Sequence, residues 1–212
     1  MIAIVDAGVG NVRSLQSMLR VMGYPCEIIT DPLSLSPCQA LILPGVGSFD
    51  NGMRKLRDSG FAEVLTDPDF VAATPILGVC LGMHLLATKS EEGNEAGLGL
   101  VDDSVVKLAG KERDGLLRIP HMGWADVTPG SESVLLSGFS TGPRFYFCHS
   151  YRYAGSCDSG ITGTTRYGGE FPAVIELRKL YGVQFHPEKS HKFGMQVLRN
   201  FAHAAGVCAE YE

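Results

Sequence analysis

Apolar residues along the chain fall into short blocks whose spacing alternates between strand and helix periods. Ile2 to Val5 is an apolar run of strand length, closed by the turn formers Asp6-Ala7-Gly8-Val9-Gly10-Asn11. Val12, Leu15, Met18, Leu19 and Met22 then follow the helical spacing, and Gly23 is a natural stop. Further strands are predicted at Glu27–Thr30, Ala40–Leu43 and Pro75–Val79. Helical stretches are predicted at Gly52–Arg57, again at Phe61–Leu65, and at Leu81–Thr88. Strands alternating with helices in this way predict an α/β fold with a parallel sheet covered on both faces.

The second half has a different pattern. Between Gly97 and Gly182 short β-type runs (Ser104–Leu108, Arg144–Cys148, Ala173–Leu177) are punctuated by Gly and Pro. They predict antiparallel additions to the same sheet or a small second sheet packed on it. A last strand, Tyr181–Phe185, precedes His186-Pro187-Glu188, and a helix at Phe193–Ala205 closes the chain. No repeat or linker divides the sequence, so residues 1–212 are expected to form a single domain.

Composition narrows the function. Hydrophobic residues make up 45% and charged residues 19% of 212, the balance of an ordinary globular protein. A net charge of -5 with no run of Lys or Arg speaks against nucleic acid as a partner. No apolar segment reaches the roughly 18–20 residues that span a bilayer, and Met1 to Val5 has no basic flank. A soluble cytoplasmic protein is expected, with no membrane partner. Of Cys26, Cys38, Cys80, Cys148, Cys157 and Cys208, none forms C-x-x-C, so zinc and thioredoxin spacings are missing. They are expected to be reduced thiols, five of them small buried hydrophobes. No metal or cofactor is expected.

The sixth is Cys80, in Gly78-Val79-Cys80-Leu81-Gly82 between a predicted strand and a predicted helix. A nucleophile elbow needs this pattern, because small residues must flank the nucleophile where strand and helix come close. A helix N-terminus there favours a thiolate, and the Leu81 amide can donate to an oxyanion. Alone, the motif also fits a structural cysteine in a turn. A cysteine nucleophile also needs a base and a group to orient it. Of six histidines, His186 ends an apolar strand and is followed by Pro187 and Glu188, which is close enough to orient the ring. Cys80 and His186 both sit at predicted strand ends, where doubly wound sheets build sites. Pro44-Gly45-Val46-Gly47 is a third strand-end loop; its free peptide units at Val46 and Gly47 can complete an oxyanion hole. Trp124, the one tryptophan, follows Met122-Gly123 in a predicted loop, and fits either an interface anchor or core packing.

Oxyanion loop, Cys elbow and late His-Pro-Glu-Lys-Ser, in that order, resemble the class I (triad) glutamine amidotransferases over nearly the whole chain. The resemblance implies a doubly wound, flavodoxin-like mixed sheet, mostly parallel, with helices on both faces and an antiparallel extension. It implies hydrolysis of glutamine to glutamate and ammonia, with Cys80 attacking the amide, His186 moving protons and Glu188 holding His186. Gly10-Asn11, Leu77–Met83, Ser90-Glu91-Glu92, Pro120–Trp124 and Phe145–Tyr151 extend the likeness to the branch serving histidine biosynthesis. By that likeness Gly47, His84, Glu92 and the backbone at His149, Ser150 and Tyr151 hold glutamine. Asn11, Met122 and Trp124 face a partner cyclase of (β/α)8 fold, which receives the ammonia. His84 stands where that branch usually has Gln, Ala125 where it usually has Asn, and Cys148, expected as core packing, where it has an aliphatic residue. Gly182–Met195 and Ser90–Gly99 also resemble a branch of surface-sugar pathways, which feeds an ATP-dependent sugar amidotransferase. A stand-alone cysteine hydrolase and a silent regulatory subunit are the remaining alternatives.

Overall fold

Four residues with no polar member, Ile2–Val5, form β1, and each is buried because the sheet is covered on both sides. The computed structural model describes the chain except residues 36–37, 113–114, 140–141, 156–159 and 211–212. After β1 come α1 (Val12–Val21), β2 (Cys26–Ile29), β3 (Ala40–Gly45), α2 (Phe49–Asp58), α3 (Phe61–Thr66), α4 (Pro68–Ala73), β4 (Ile76–Cys80) and α5 (Leu81–Leu85). The second half supplies β5 (Lys89–Ser90), β6 (Ser104–Lys107), β7 (Lys111–Glu112), β8 (Gly115–Leu116), β9 (His121–Pro129) and β10 (Arg144–His149). It ends with β11 (Tyr151–Tyr153), β12 (Ile161–Arg166), β13 (Glu170–Leu177), β14 (Leu180–Val183) and α6 (His191–Ala204).

Nine strands form one sheet in the order β10-β9-β12-β13-β14-β4-β3-β1-β2. The five from β14 to β2 are parallel and the rest antiparallel. Both forms expected of the second half occur, because β11, β6 and β5 make a separate three-stranded sheet. Alternation along β1 divides the core. Ile2 and Ile4 pack with Val12, Leu15 and Leu19 of α1 and Phe201 of α6, while Ala3 and Val5 pack with α2, α3 and Leu85.

Several predicted boundaries move, for local reasons. α2 begins at Phe49, because Glu92 Oε2 accepts from the Phe49 amide at 2.8 Å and satisfies an otherwise free donor of the first turn. Asp67 accepts from the Phe70 amide and Pro68 opens α4, a helix not anticipated. β3 runs on through Pro44 and Gly45, since its pairing with β1 stops at Ile42 and the missing Pro44 N–H is not needed there. The helix after Cys80 stops at Leu85 rather than Thr88, and Pro120–Trp124 is not a loop: His121 to Trp124 begin β9.

The elbow depends on close backbone approach. A Cβ at Gly82 would lie 1.8 Å from the Leu43 carbonyl oxygen, and one at Gly78 would lie 2.7 Å from the Gly82 carbonyl. Neither neighbour is a flexible side chain, so Gly82→Ala is expected to cost about 2–3 kcal/mol, or roughly 5–10 °C in thermal unfolding. An unchanged Tm would mean that β3 and the elbow have room to separate.

Candidate active site

Cys80 is the last residue of β4 and sits at φ 54°, ψ -110°, a left-handed backbone that costs energy for any residue with a side chain. The glycines at 78 and 82 let the surrounding backbone impose that turn. The side chain thereby leaves the sheet at its carboxyl end, with Sγ 3.8 Å from the Cys148 carbonyl. α5 is only five residues long, so it aligns few peptide dipoles, and the electrostatic help expected from a helix N-terminus is small. His186 is the stronger influence.

His186 reaches Cys80 through strand register. β14 lies parallel beside β4 with Val183 opposite Val79, so both chains leave the sheet at one end. The His186 amide bonds the Tyr146 carbonyl at 2.9 Å. Buried Ser190 ties the same turn together: its Oγ donates to the His186 carbonyl at 2.7 Å and accepts from the Tyr146 amide at 3.0 Å. Glu188 Oε1 lies 2.9 Å from His186 Nδ1, which leaves Nε2 available to Cys80, close enough to raise the ring's proton affinity. Burial works against a charged ring here, but the hydrogen bonds and negative charges of Cys80 and Glu188 outweigh it and raise His186 to about 10. A ring so raised in proton affinity is suited to take a proton from a group at its Nε2.

Around this array lies a pocket of about 170 Å³, lined by Val46, Gly47, Cys80, Leu81, His84, Glu92, Cys148, His149, Ser150, Tyr151, His186 and Lys189. All six residues expected to hold substrate, and all three expected at the oxyanion hole, therefore meet in one place. Gly47 has φ +104°, and nothing lies within 4 Å of where its Cβ would be, so the loop turns as only glycine readily allows. Burial pushes the Glu92 carboxyl up, against the bond from the Phe49 amide. His84 is buried, and its Nε2 lies 2.7 Å from Gln184 Oε1. That burial lowers His84 to about 4, so the ring is neutral at neutral pH.

Two large apolar side chains are exposed on β9. Met122 is 61% and Trp124 41% exposed, which overturns core packing for the tryptophan. They alternate with buried His121 along β9, opposite Cys148 and Tyr146 of β10. The Trp124 ring stacks on His191 with centroids 5.7 Å apart. Asn11 is also exposed, and Gly10 before it abuts Pro44 of the oxyanion loop.

Residues 3–205 match the family described as glutamine amidotransferase class-I. The chain belongs to that family. This amidotransferase is 44% identical over 201 residues to imidazole glycerol phosphate synthase subunit HisH 2 of Methanococcus maripaludis, covering 95% of this chain and 98% of that protein. To HisH 2 of Pseudomonas aeruginosa it is 43% identical, with the same coverage. Among solved structures, a glutamine amidotransferase superposes with a TM-score of 0.75 at 19% identity, covering 97% of this chain and 99% of that one; this shows the shared fold.

Some of the amidotransferase's pocket was missed in its sequence. Lys189 lines the cavity, its Nζ 5.6 Å from the Tyr146 ring centroid, and Gln184 fixes His84; both lie in the stretch around His-Pro-Glu, which pointed to them only as neighbours. Cys148 is half-buried and lines the pocket instead of filling the core. Cys26 and Cys38 are likewise half-buried and Cys208 is exposed, while Cys157 lies outside the described residues.

His186 binds its proton more tightly folded than unfolded, so its contribution to stability is complete below 6.5 and is lost as pH rises towards about 10. The wild-type Tm should fall over that interval, with a shallower fall in His186→Asn. Parallel profiles would separate the alkaline loss from His186.

Proposed function

We propose that this chain is the glutaminase subunit of imidazole glycerol phosphate synthase, acting in the cytoplasm as one half of a heterodimer. What carries the reading is the meeting of Cys80 and His186 in one pocket, with Glu188 on the ring's other nitrogen, in a chain similar along nearly its whole length to subunits of that name. Cys80 Sγ attacks the side-chain carbonyl of glutamine while His186 takes its proton. Amides at Leu81 and in the Val46–Gly47 loop receive the developing oxyanion. His186 then protonates the leaving nitrogen, releasing ammonia and leaving a thioester on Cys80. Water, deprotonated by His186, hydrolyses the thioester to glutamate, and the proton returns to the thiol. Glu188 keeps the ring oriented throughout.

This sequence releases ammonia in the pocket, where Cys148 is the cross-strand partner of exposed Met122. A (β/α)8 cyclase docked over Asn11, Met122 and Trp124 would receive it before it reaches solvent, closing the ring of the synthase's product. A second reading is favoured by Gly182–Met195 and Ser90–Gly99, which resemble the surface-sugar branch, and by the two HisH subunits of Methanococcus maripaludis, both similar to this chain. In that case ammonia goes to an ATP-dependent sugar amidotransferase, and the glutaminase half-reaction is the same.

Glutamate release should rise strongly when the cyclase and its nucleotide ligand are added. No stimulation, with glutaminase activity present, would favour the sugar acceptor. Cys80→Ala should abolish glutamine-dependent synthesis by the complex and spare synthesis from added ammonium. Loss of both in a variant that still docks would remove Cys80 from the assigned role. Trp124→Ala should weaken cyclase binding about tenfold or more, as loss of an aromatic anchor does. Equal affinities in a titration would move the interface elsewhere.

A further inference from the structure

Two buried histidines, His149 in the pocket wall and His121 behind it, are not used by the proton-transfer scheme. His121 on β9 and His149 on β10 are cross-strand partners in register. His149 Nδ1 lies 2.8 Å from the Tyr151 carbonyl oxygen, and its Nε2 lies 3.0 Å from His121 Nδ1. A carbonyl can only accept, so His149 Nδ1 carries a hydrogen. Burial holds both rings well below their ordinary range, His149 at about 3 and His121 at about 4, so each is neutral at neutral pH and has one donor nitrogen. His149 Nε2 is therefore an acceptor, and His121 Nδ1 must donate to it. A single arrangement of hydrogens satisfies both contacts.

The His121 ring is also held in its plane. It lies between Phe147 and Tyr167, with centroids at 4.8 and 4.1 Å and interplanar angles of 21° and 15°. The chain of bonds thus runs from a clamped ring on β9, through His149, to the backbone of Tyr151, whose side of the pocket continues through Ser150. We infer that His121 and His149 are positioning residues: bonded in series, they hold the Ser150–Tyr151 wall in the place where glutamine meets it. The inference rests on the glutaminase reading of this pocket. It also ties that wall to the strand carrying Met122 and Trp124, so partner docking and substrate binding share one support.

Two substitutions separate the bond from the packing. His121→Phe keeps an aromatic ring between Phe147 and Tyr167 but leaves His149 Nε2 without a donor. His121→Asn sacrifices the stack and keeps an amide donor close to the position of Nδ1. Measured in complex with the cyclase, His121→Phe should raise the KM for glutamine about tenfold, the scale of an unsatisfied buried acceptor, with kcat within about twofold. His121→Asn should recover most of that loss. In the wild type, imidazole ¹⁵N shifts should show the hydrogen on Nδ1 of both rings, the form that free histidine disfavours, and this holds even if a variant fails to fold. A glutamine KM unchanged in His121→Phe, or an Nε2–H form of His149, overturns the inference. A wild-type complex that turns over no glutamine while both rings carry Nδ1–H would overturn the glutaminase reading and the positioning role with it, leaving only the hydrogen assignment.

Discussion

Placing β14 parallel beside β4, with Val183 opposite Val79, is the constraint from which the site follows. Two strands far apart in sequence then end at the same edge of the sheet, and Cys80 at the end of one and His186 just past the end of the other meet in one pocket. That pairing needs a thin backbone on both strands. A Cβ at Gly182 would meet Met83 Cγ at 2.7 Å, and one at Gly78 would meet the backbone of α5 at the same distance. The glycines around the nucleophile thus serve the packing of strand against helix as much as the turn itself. The strained Cys80 backbone persists because β3, β4 and α5 all hold it there.

Electrostatics then separates four buried histidines that composition cannot tell apart. Burial alone disfavours a charge on each of them, and it leaves His84, His121 and His149 neutral beside neutral partners: a Gln side chain, another ring, a backbone carbonyl. His186 has Glu188 and Cys80 instead, and there the negative partners win. One ring therefore handles protons, while its neighbours shape and hold the pocket. The difference lies in which atom stands 3 Å away.

Much of this was legible in the residue pattern. The apolar run at Ile76–Val79 followed by Cys80 between two glycines marked the elbow, and the strand ending at His186-Pro187-Glu188 marked the base with its orienting carboxylate. What escaped were features set by partners distant in sequence. The start of α2 depends on Glu92, the anchoring of His186 on Ser190 and Tyr146, and the neutrality of His84 on Gln184. Met122-Gly123 before Trp124 reads as a loop in the sequence. In fact β9 pairs with β10 on one side and β12 on the other, and both neighbours tolerate a strand whose outward positions are large and exposed.

The central claim is that Cys80, among the thiols near this pocket, is the one that attacks the glutamine amide. A chloroketone analogue of glutamine, incubated with the protein and mapped by peptide mass spectrometry, tests it directly, because Cys148 lines the same cavity and is a competing thiol. The account predicts one adduct, on Cys80, blocked by excess glutamine and abolished in His186→Asn. An adduct on Cys148, or labelling of Cys80 that glutamine does not slow, would contradict it.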